Sequence, residues 1–131
     1  MSTRTRAIAR VTLMSVGAAA LYGGWAIYAN WAHGLEIAGR AGITQAAFSA
    51  TTTAAMSSLM EALFDRHRHR PVWTRLVLSA GVPSVIGVAL LLAVHALVGT
   101  PELFLTILPS ACIGSVYSLV YSANLVRADE K

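Results

Sequence analysis

Polar side chains recur at every fourth residue between positions 45 and 61, and they are the groups in this chain best spaced to act together. This polar stripe consists of Gln45, Ser49, Thr53, Ser57 and Glu61. Residues four apart lie on one face of a helix, so the spacing predicts a single polar helix face. In lipid, such a face must meet other helices or a water-filled path, because hydrocarbon offers no hydrogen-bond partner.

A second set of small and hydroxyl side chains has the same spacing near the C-terminal end of the chain. It consists of Thr106, Ser110, Gly114, Ser118 and Ser122. Pro109 interrupts the backbone hydrogen bonding beside this set. We expect this second face to pack against the polar stripe, which makes the helix that carries the stripe the central helix of a bundle.

Glu61 is an acidic residue inside a predicted helix and away from its start. A carboxylate at membrane depth can couple the movement of a proton or a cation. However, Phe64 and the cytoplasmic interface are only three residues away, so Glu61 can instead extend to that interface or form an ion pair. Its candidate partners there are Arg10, Arg66 and Arg75. Both interpretations of Glu61 stay open.

Arg40 and His95 are predicted near the outer ends of their helices, where they would line an outer vestibule. The imidazole of His95 can titrate there, or hydrogen-bond to Glu36 or Glu102. A histidine that is simply satisfied at the membrane interface is the structural alternative. Arg40 places a positive charge on the outer side, so we expect it to have an acidic partner. Glu36, four residues earlier, is the nearest one.

The segment from residue 65 to residue 75 is rich in arginine and histidine. We predict that its arginines contact lipid headgroups, where each basic residue contributes about 1 kcal/mol. They are Arg66, Arg68, Arg70 and Arg75. His67 and His69 have neither a cysteine nor enough acidic residues nearby to complete a metal site, so no metal is expected. The lone cysteine, Cys112, excludes an intramolecular disulfide.

The motif content argues against catalysis. The sequence contains no glycine-rich phosphate loop, nucleophile elbow or zinc-protease helix motif. Its many serines lack a matching histidine and aspartate at membrane depth. We therefore expect no enzymatic activity and no cofactor. The net charge of +4 comes from basic residues clustered beside apolar runs, so we expect the partner to be a lipid bilayer and not nucleic acid.

The elements that must position these residues are predicted by the charge-free runs. Of the 131 residues, 56% are apolar and only 12% are charged. Four runs, 11–35, 41–60, 76–101 and 103–126, contain no Asp, Glu, Lys or Arg. About 20 apolar residues span a hydrocarbon core as one helix. The sequence predicts an all-α, four-transmembrane-helix bundle, a single membrane domain over 1–131 with helices at about 9–31, 40–64, 74–99 and 101–126.

The distribution of arginine predicts how the chain is threaded. Arg4, Arg6 and Arg10 precede the first run, and the basic segment joins the second run to the third. Positive charge favours the cytoplasmic side, and an even number of crossings must separate the two clusters. We therefore expect a multi-pass protein of the cell inner membrane with the N-terminus and C-terminus cytoplasmic.

Smaller features refine the helix ends. The fourth helix is predicted to begin just after Thr100. Thr100 would be its N-cap, Pro101 its first residue and Glu102 an acid in its first turn. Pro83 is expected to kink the third helix. A cleaved signal peptide over residues 1–24 is an alternative for the first segment. However, its apolar run continues to Trp25 and beyond, which favours a retained span.

Two functional hypotheses follow. The first is a structural or accessory helix bundle whose hydroxyl faces make helix contacts, as such residues commonly do in membranes. It leaves open a homo-oligomer or a membrane-protein partner. The second is a small oligomeric transporter or channel for an ion or small solute, with Glu61 as the coupling carboxylate. The two hypotheses differ in the surroundings of the polar stripe. The structural role predicts a packed, dry stripe, and transport predicts that the stripe lines a hydrated cavity.

Overall fold

The chain folds into long helices. The computed structural model describes the backbone of residues 3–130 and the side chains of residues 16–53 and 55–130. Its elements are listed in chain order: α1 Thr3–Ala29, a short 3₁₀ helix Trp31–His33, α2 Leu35–Arg66, α3 Val72–Val98 and α4 Leu103–Asp129. No strand occurs among the described residues, so the predicted all-helical class is confirmed.

The helix ends differ from the predicted ones for local reasons. α2 begins at Leu35, about five residues early, because Gly34 takes a φ of +95° that suits glycine and lets the new helix start directly after the turn. α3 ends at Val98 before Gly99, whose φ of +72° is typical of a residue that ends a helix. α4 begins at Leu103, two residues later than predicted.

α3 and α4 each continue through a proline. Pro83 lies inside α3 and Pro109 inside α4, and neither divides its helix into two elements. A proline inside a helix removes one backbone donor and leaves the carbonyl four residues earlier without its usual partner. For Pro109 that carbonyl belongs to Leu105. A side chain of α1 donates to it, as described below.

The helices contribute to two compact units. The first comprises Met1–Thr53 and Val94–Thr106, and the second comprises Ala54–Ala93 and Ile107–Lys131. This division into two units does not test the prediction of a single membrane domain.

In the first unit, α1 and α2 approach closely through small residues. Ala26 and Ala38 are fully buried. A Cβ atom added to Gly23 would lie 3.0 Å from the carbonyl oxygen of Gly42 and 3.0 Å from the Cβ of Ala46. The two backbones can be this near only because both positions lack a side chain, which is how small residues serve helix packing in membranes.

In the second unit, the buried apolar side chains are larger. Met60 and Phe64 of α2 are at most 4% exposed, as are Ala80 and Leu91 of α3, while Ile107 of α4 is 5% exposed. These residues form the apolar part of the second unit's core, and the buried polar groups described below lie beside them.

α3 and α4 are long and apolar enough to cross a membrane. In their most apolar 18-residue windows, only 22% of α3 and 17% of α4 are buried. Both helices therefore carry large apolar side chains that are more than half exposed: Val77, Val85, Leu97, Phe104, Leu108 and Val116. Within the described part of α1, the apolar stretch is the shorter Val16–Ala29.

Candidate functional site

A fully buried polar chain in the first unit joins α2 to the end of α3. Gln45 and His95 are both 0% exposed. The imidazole Nε2 of His95 lies 2.8 Å from Oε1 of Gln45, and its Nδ1 lies 2.9 Å from the hydroxyl of Thr100. An amide oxygen can only accept, so Nε2 carries the proton. A neutral ring then accepts the Thr100 hydroxyl at Nδ1, and each of its nitrogens has a partner.

This arrangement replaces the partners expected for His95. Its hydrogen bonds go to Gln45 and Thr100, and the expected carboxylates of Glu36 and Glu102 are not its partners. Thr100 was predicted to cap α4, but its hydroxyl is hydrogen-bonded to His95. The Gln45 amide nitrogen also donates to Ser49 at 3.3 Å, so the first two residues of the polar stripe are linked to each other.

Asn30 performs the capping that the sequence assigned to Thr100. It is fully buried at the end of α1. Its Oδ1 accepts the backbone N–H of Glu102 at 3.1 Å. Its Nδ2 donates to the Thr106 hydroxyl at 2.7 Å and to the Ala26 carbonyl at 2.9 Å. A backbone donor that α4 would otherwise leave open is thus satisfied by a side chain from α1.

Trp25 satisfies a backbone group that a proline leaves open. Its indole nitrogen donates to the carbonyl oxygen of Leu105 at 2.8 Å. This is the carbonyl that Pro109 cannot serve, because proline has no N–H to donate four residues back. In the sequence, Trp25 stands out only as part of the first apolar run. The indole bond gives it a more specific role in holding α1 to α4.

The outer charged residues pair differently from expectation. His33 Nε2 lies 3.1 Å from Oε1 of Glu102, and both side chains are partly exposed. Arg40 is exposed, and its guanidinium lies beside Gly99. Among the described side chains, the ion pairs do not include the expected one between Arg40 and Glu36.

In the second unit, the polar stripe meets tyrosines of α4. The hydroxyl of Tyr121 donates to the carboxylate of Glu61. One helical turn away, the hydroxyls of Ser57 and Tyr117 are 3.1 Å apart. The two tyrosine rings are adjacent, with centroids 5.6 Å apart. The expected α4 partners were hydroxyl and glycine residues, whereas the contacts with Ser57 and Glu61 are made by aromatic side chains.

The remaining members of the two predicted faces bond mainly to backbone. Thr53 donates to the carbonyl of Ser49 at 2.9 Å, and Ser118 donates to that of Gly114 at 3.0 Å. Ser110 has an interaction of its own as well. Such bonds satisfy a hydroxyl within its own helix. Ser79 and Ser122 are different, since each has a buried hydroxyl with no partner among the described residues.

The basic segment converges on one carboxylate, that of Asp129 at the end of α4. Arg68 donates to Oδ1 of Asp129 through both Nε, at 2.8 Å, and Nη2. Arg75 donates from Nη1 to Oδ2 at 2.6 Å. The side chain of Arg75 is only 8% exposed, and its guanidinium carbon lies 5.0 Å from the centre of the Phe64 ring.

The hydrogen bonds between Asp129 and the arginines shift the pKa of Asp129 and that of Arg68. The hydrogen bonds from Arg68, and then from Arg75, lower the pKa of Asp129 below its usual range. The same hydrogen bond to Asp129 raises the pKa of Arg68. Asp129 is therefore held as a carboxylate between two guanidinium groups. Of the four arginines predicted to contact headgroups, Arg66 and Arg70 are exposed, while Arg68 and Arg75 are engaged with this carboxylate.

Two of these residues were missed in the sequence, although a signal existed for each. Asn30 is a lone amide at the end of an apolar run, where a helix terminus in a membrane needs polar partners. Asp129 lies at the end of the fourth predicted helix, and the predicted threading would return that end to the side of the basic segment. Arg4, Arg6 and Arg10 have side chains outside the described residues.

No protein-family model matches the chain, and neither a curated protein nor a solved structure matches it. Within the described residues, no group of three or more His, Cys, Asp or Glu side chains could hold a metal ion.

Proposed function

We propose that this chain is a multi-pass protein of the cell inner membrane that acts as a structural or accessory helix bundle. In this proposal four helices cross the bilayer, both termini are cytoplasmic, and the polar side chains hold helices together. The possible partners are a second copy of the chain or another membrane protein.

The apolar exteriors of α3 and α4 support the membrane location. A water-soluble protein buries helices of this composition in its core, whereas only 22% of the most apolar 18-residue window of α3 and 17% of that of α4 are buried. Lipid is the medium in which exposed Leu, Val, Ile and Phe carry no penalty. A different observation supports a membrane crossing by α2. Several of its hydroxyl groups donate to backbone carbonyls in the same helix, so they need no hydrogen-bond partner from the lipid.

The distribution of charge supports the proposed threading. The loop between α2 and α3 carries Arg68 and Arg70, and α2 ends with Arg66. The connection between α3 and α4 carries a single charged residue, Glu102. Positive residues favour the cytoplasmic side, so the first connection is proposed to be inside and the second outside.

The single observation that carries the structural role is the buried contact between Gln45 and His95. A transport path needs polar groups that a solute can reach. Here both side chains are fully buried and are hydrogen-bonded to each other, and they also bond to Ser49 and Thr100. Polar groups matched in this way fix the packing of helices, and each interhelical bond contributes about 0.6 kcal/mol on average.

One observation favours the second candidate, a small oligomeric transporter or channel. Glu61 is exposed, unlike Gln45, and its carboxylate accepts a hydrogen bond from Tyr121. An accessible carboxylate beside a hydroxyl group is a suitable place for a proton or a cation to bind. This candidate therefore depends on Glu61, and replacing that residue separates the two functions.

The experiment is a flux assay with the purified chain in liposomes. Proton and potassium movement are measured with internal dyes for the native chain and for Glu61→Gln, with Ser58→Ala as a control at a neighbouring exposed position. A structural bundle predicts flux equal to that of protein-free liposomes for all three. Flux by the native chain that Glu61→Gln abolishes and Ser58→Ala retains would replace the structural role with the transport role.

A further inference from the structure

The two arginines around Asp129 form a site in the second unit that is built for an oxyanion. Arg68 approaches one carboxylate oxygen through two nitrogens, and Arg75 approaches the other oxygen. A planar guanidinium binds the oxygens of phosphate with the same paired geometry that it uses for carboxylate. The chemistry of this site is therefore not specific to aspartate.

The site has a donor that the carboxylate does not satisfy. Nε of Arg75 is buried and has no hydrogen-bond partner among the described residues. Arg75 itself is 7% exposed and packs on Phe64, which fixes where its guanidinium can lie. A buried donor without a partner destabilises the folded chain. A phosphodiester presents two ester oxygens besides its two charged oxygens, so it can offer an acceptor to this third donor as well.

The charge around the site favours an anion from outside the chain. Arg66 and Arg70 are exposed nearby in sequence, and Asp65 is the acidic residue within that segment. Asp129 is the final residue of α4, where helices fray most readily. The contact with exposed Arg68 is a surface ion pair, and such pairs contribute little to stability. An incoming phosphate that makes both guanidinium contacts can therefore replace the aspartate without leaving the buried Arg75 unpaired.

We propose that Arg68 and Arg75 form a binding site for the phosphodiester of an anionic phospholipid headgroup, and that Asp129 occupies this site when no lipid is bound. The proposal rests on the membrane location proposed above, which places the basic segment at the cytoplasmic surface. Headgroup phosphates lie at that depth and are present at high local concentration. Asp129 then acts as an internal competitor that sets the affinity for lipid.

The test is native mass spectrometry of the full chain released from an uncharged detergent after addition of phosphatidylglycerol or phosphatidylcholine. We expect at least about fivefold more bound phosphatidylglycerol than phosphatidylcholine, because both headgroups carry the phosphodiester but only phosphatidylglycerol has a net negative charge, and fivefold corresponds to about 1 kcal/mol. Arg68→Gln should lower the phosphatidylglycerol signal to the phosphatidylcholine level. Arg127→Gln, which removes an exposed arginine from the last turn of α4, should leave the preference unchanged.

A gain of function provides the second arm. Asp129→Asn removes the competing charge, so it should raise phosphatidylglycerol binding above that of the native chain. Equal loss in Arg68→Gln and Arg127→Gln would show attraction by net charge only and would overturn the site. Displacement of the lipid by an equal concentration of inorganic phosphate would overturn the lipid as the natural ligand.

Liposome flotation separates this proposal from the proposed function. If the chain floats with both types of liposome but shows no preference between the two lipids, the headgroup site is wrong and the membrane location stands. If the chain floats with neither, both proposals are contradicted.

Discussion

At the scale of single residues, hydrogen-bond geometry distinguishes groups that sequence spacing treats as equal. The polar stripe predicted one continuous face. Gln45 in the first unit bonds to a buried histidine, whereas Glu61 in the second unit is exposed and bonds to a tyrosine. Four-residue spacing predicts which side chains share a face, but the identity of the opposing side chain depends on packing that spacing does not contain.

Replacing Gln45 tests whether the buried polar chain stabilises the fold. Gln45→Leu removes the acceptor for Nε2 of His95 and leaves a buried N–H without a partner, so we expect the free energy of unfolding to fall by about 1–3 kcal/mol. The measurement is reversible unfolding in mixed micelles. Thr51→Val is the control, because Thr51 is exposed and its hydroxyl bonds only to its own helix.

The double variant Gln45→Leu with His95→Phe sharpens this test. Replacing both partners by apolar groups removes the unsatisfied donor, so the double variant should lose less stability than the sum of the two single losses. Strict additivity would show that the two side chains do not interact.

Asp129 predicts an acid-sensitive component of stability. Its pKa in the folded chain is lowered by Arg68 and then by Arg75. An acid with a lowered pKa contributes stability that is fully present above its unfolded pKa, about 3.9 for aspartate, and that is lost as the pH falls through the folded value. Unfolding measured between pH 7 and pH 2 should show this loss below about pH 3.9. Asp129→Asn should remove that part of the pH dependence, whereas a profile identical to the native one would contradict the ion pair.

At the scale of helices, the charge-free runs predicted four long helices, and the described residues form four α-helices. The sequence did not predict how their ends are joined. Asn30 supplies the acceptor for a backbone donor of α4, and Trp25 supplies the donor that Pro109 lacks. Both interactions cross from α1 to a residue more than 70 positions away, and such long-range pairings cannot be found from local propensity.

The bond between Trp25 and Leu105 predicts an energetic coupling with Pro109. Trp25→Phe removes the indole N–H, and the Leu105 carbonyl then lacks a donor, so we expect a loss of about 1 kcal/mol in unfolding free energy. Pro109→Ala restores an N–H that can bond to that carbonyl within α4. In the Pro109→Ala background, Trp25→Phe should therefore cost less. A double-mutant cycle measures this coupling, and equal costs in both backgrounds would contradict it.

At the scale of the whole molecule, composition predicted an all-helical chain, and this class is confirmed. Two helices, α3 and α4, are long and apolar enough to cross a membrane. The four crossings and the sides of the termini remain predictions, because they rest on the placement of charge relative to a bilayer. A labelling experiment can therefore test them directly.

The most direct measurement of the proposed threading is the accessibility of single cysteines in cells. The background is Cys112→Ser, which removes the one native cysteine. Ala32→Cys and His69→Cys then place one thiol in each of two exposed connections. Four crossings with cytoplasmic termini predict that a membrane-impermeant maleimide labels Ala32→Cys in intact spheroplasts and labels His69→Cys only after permeabilisation. Labelling of His69→Cys in intact spheroplasts would contradict the account.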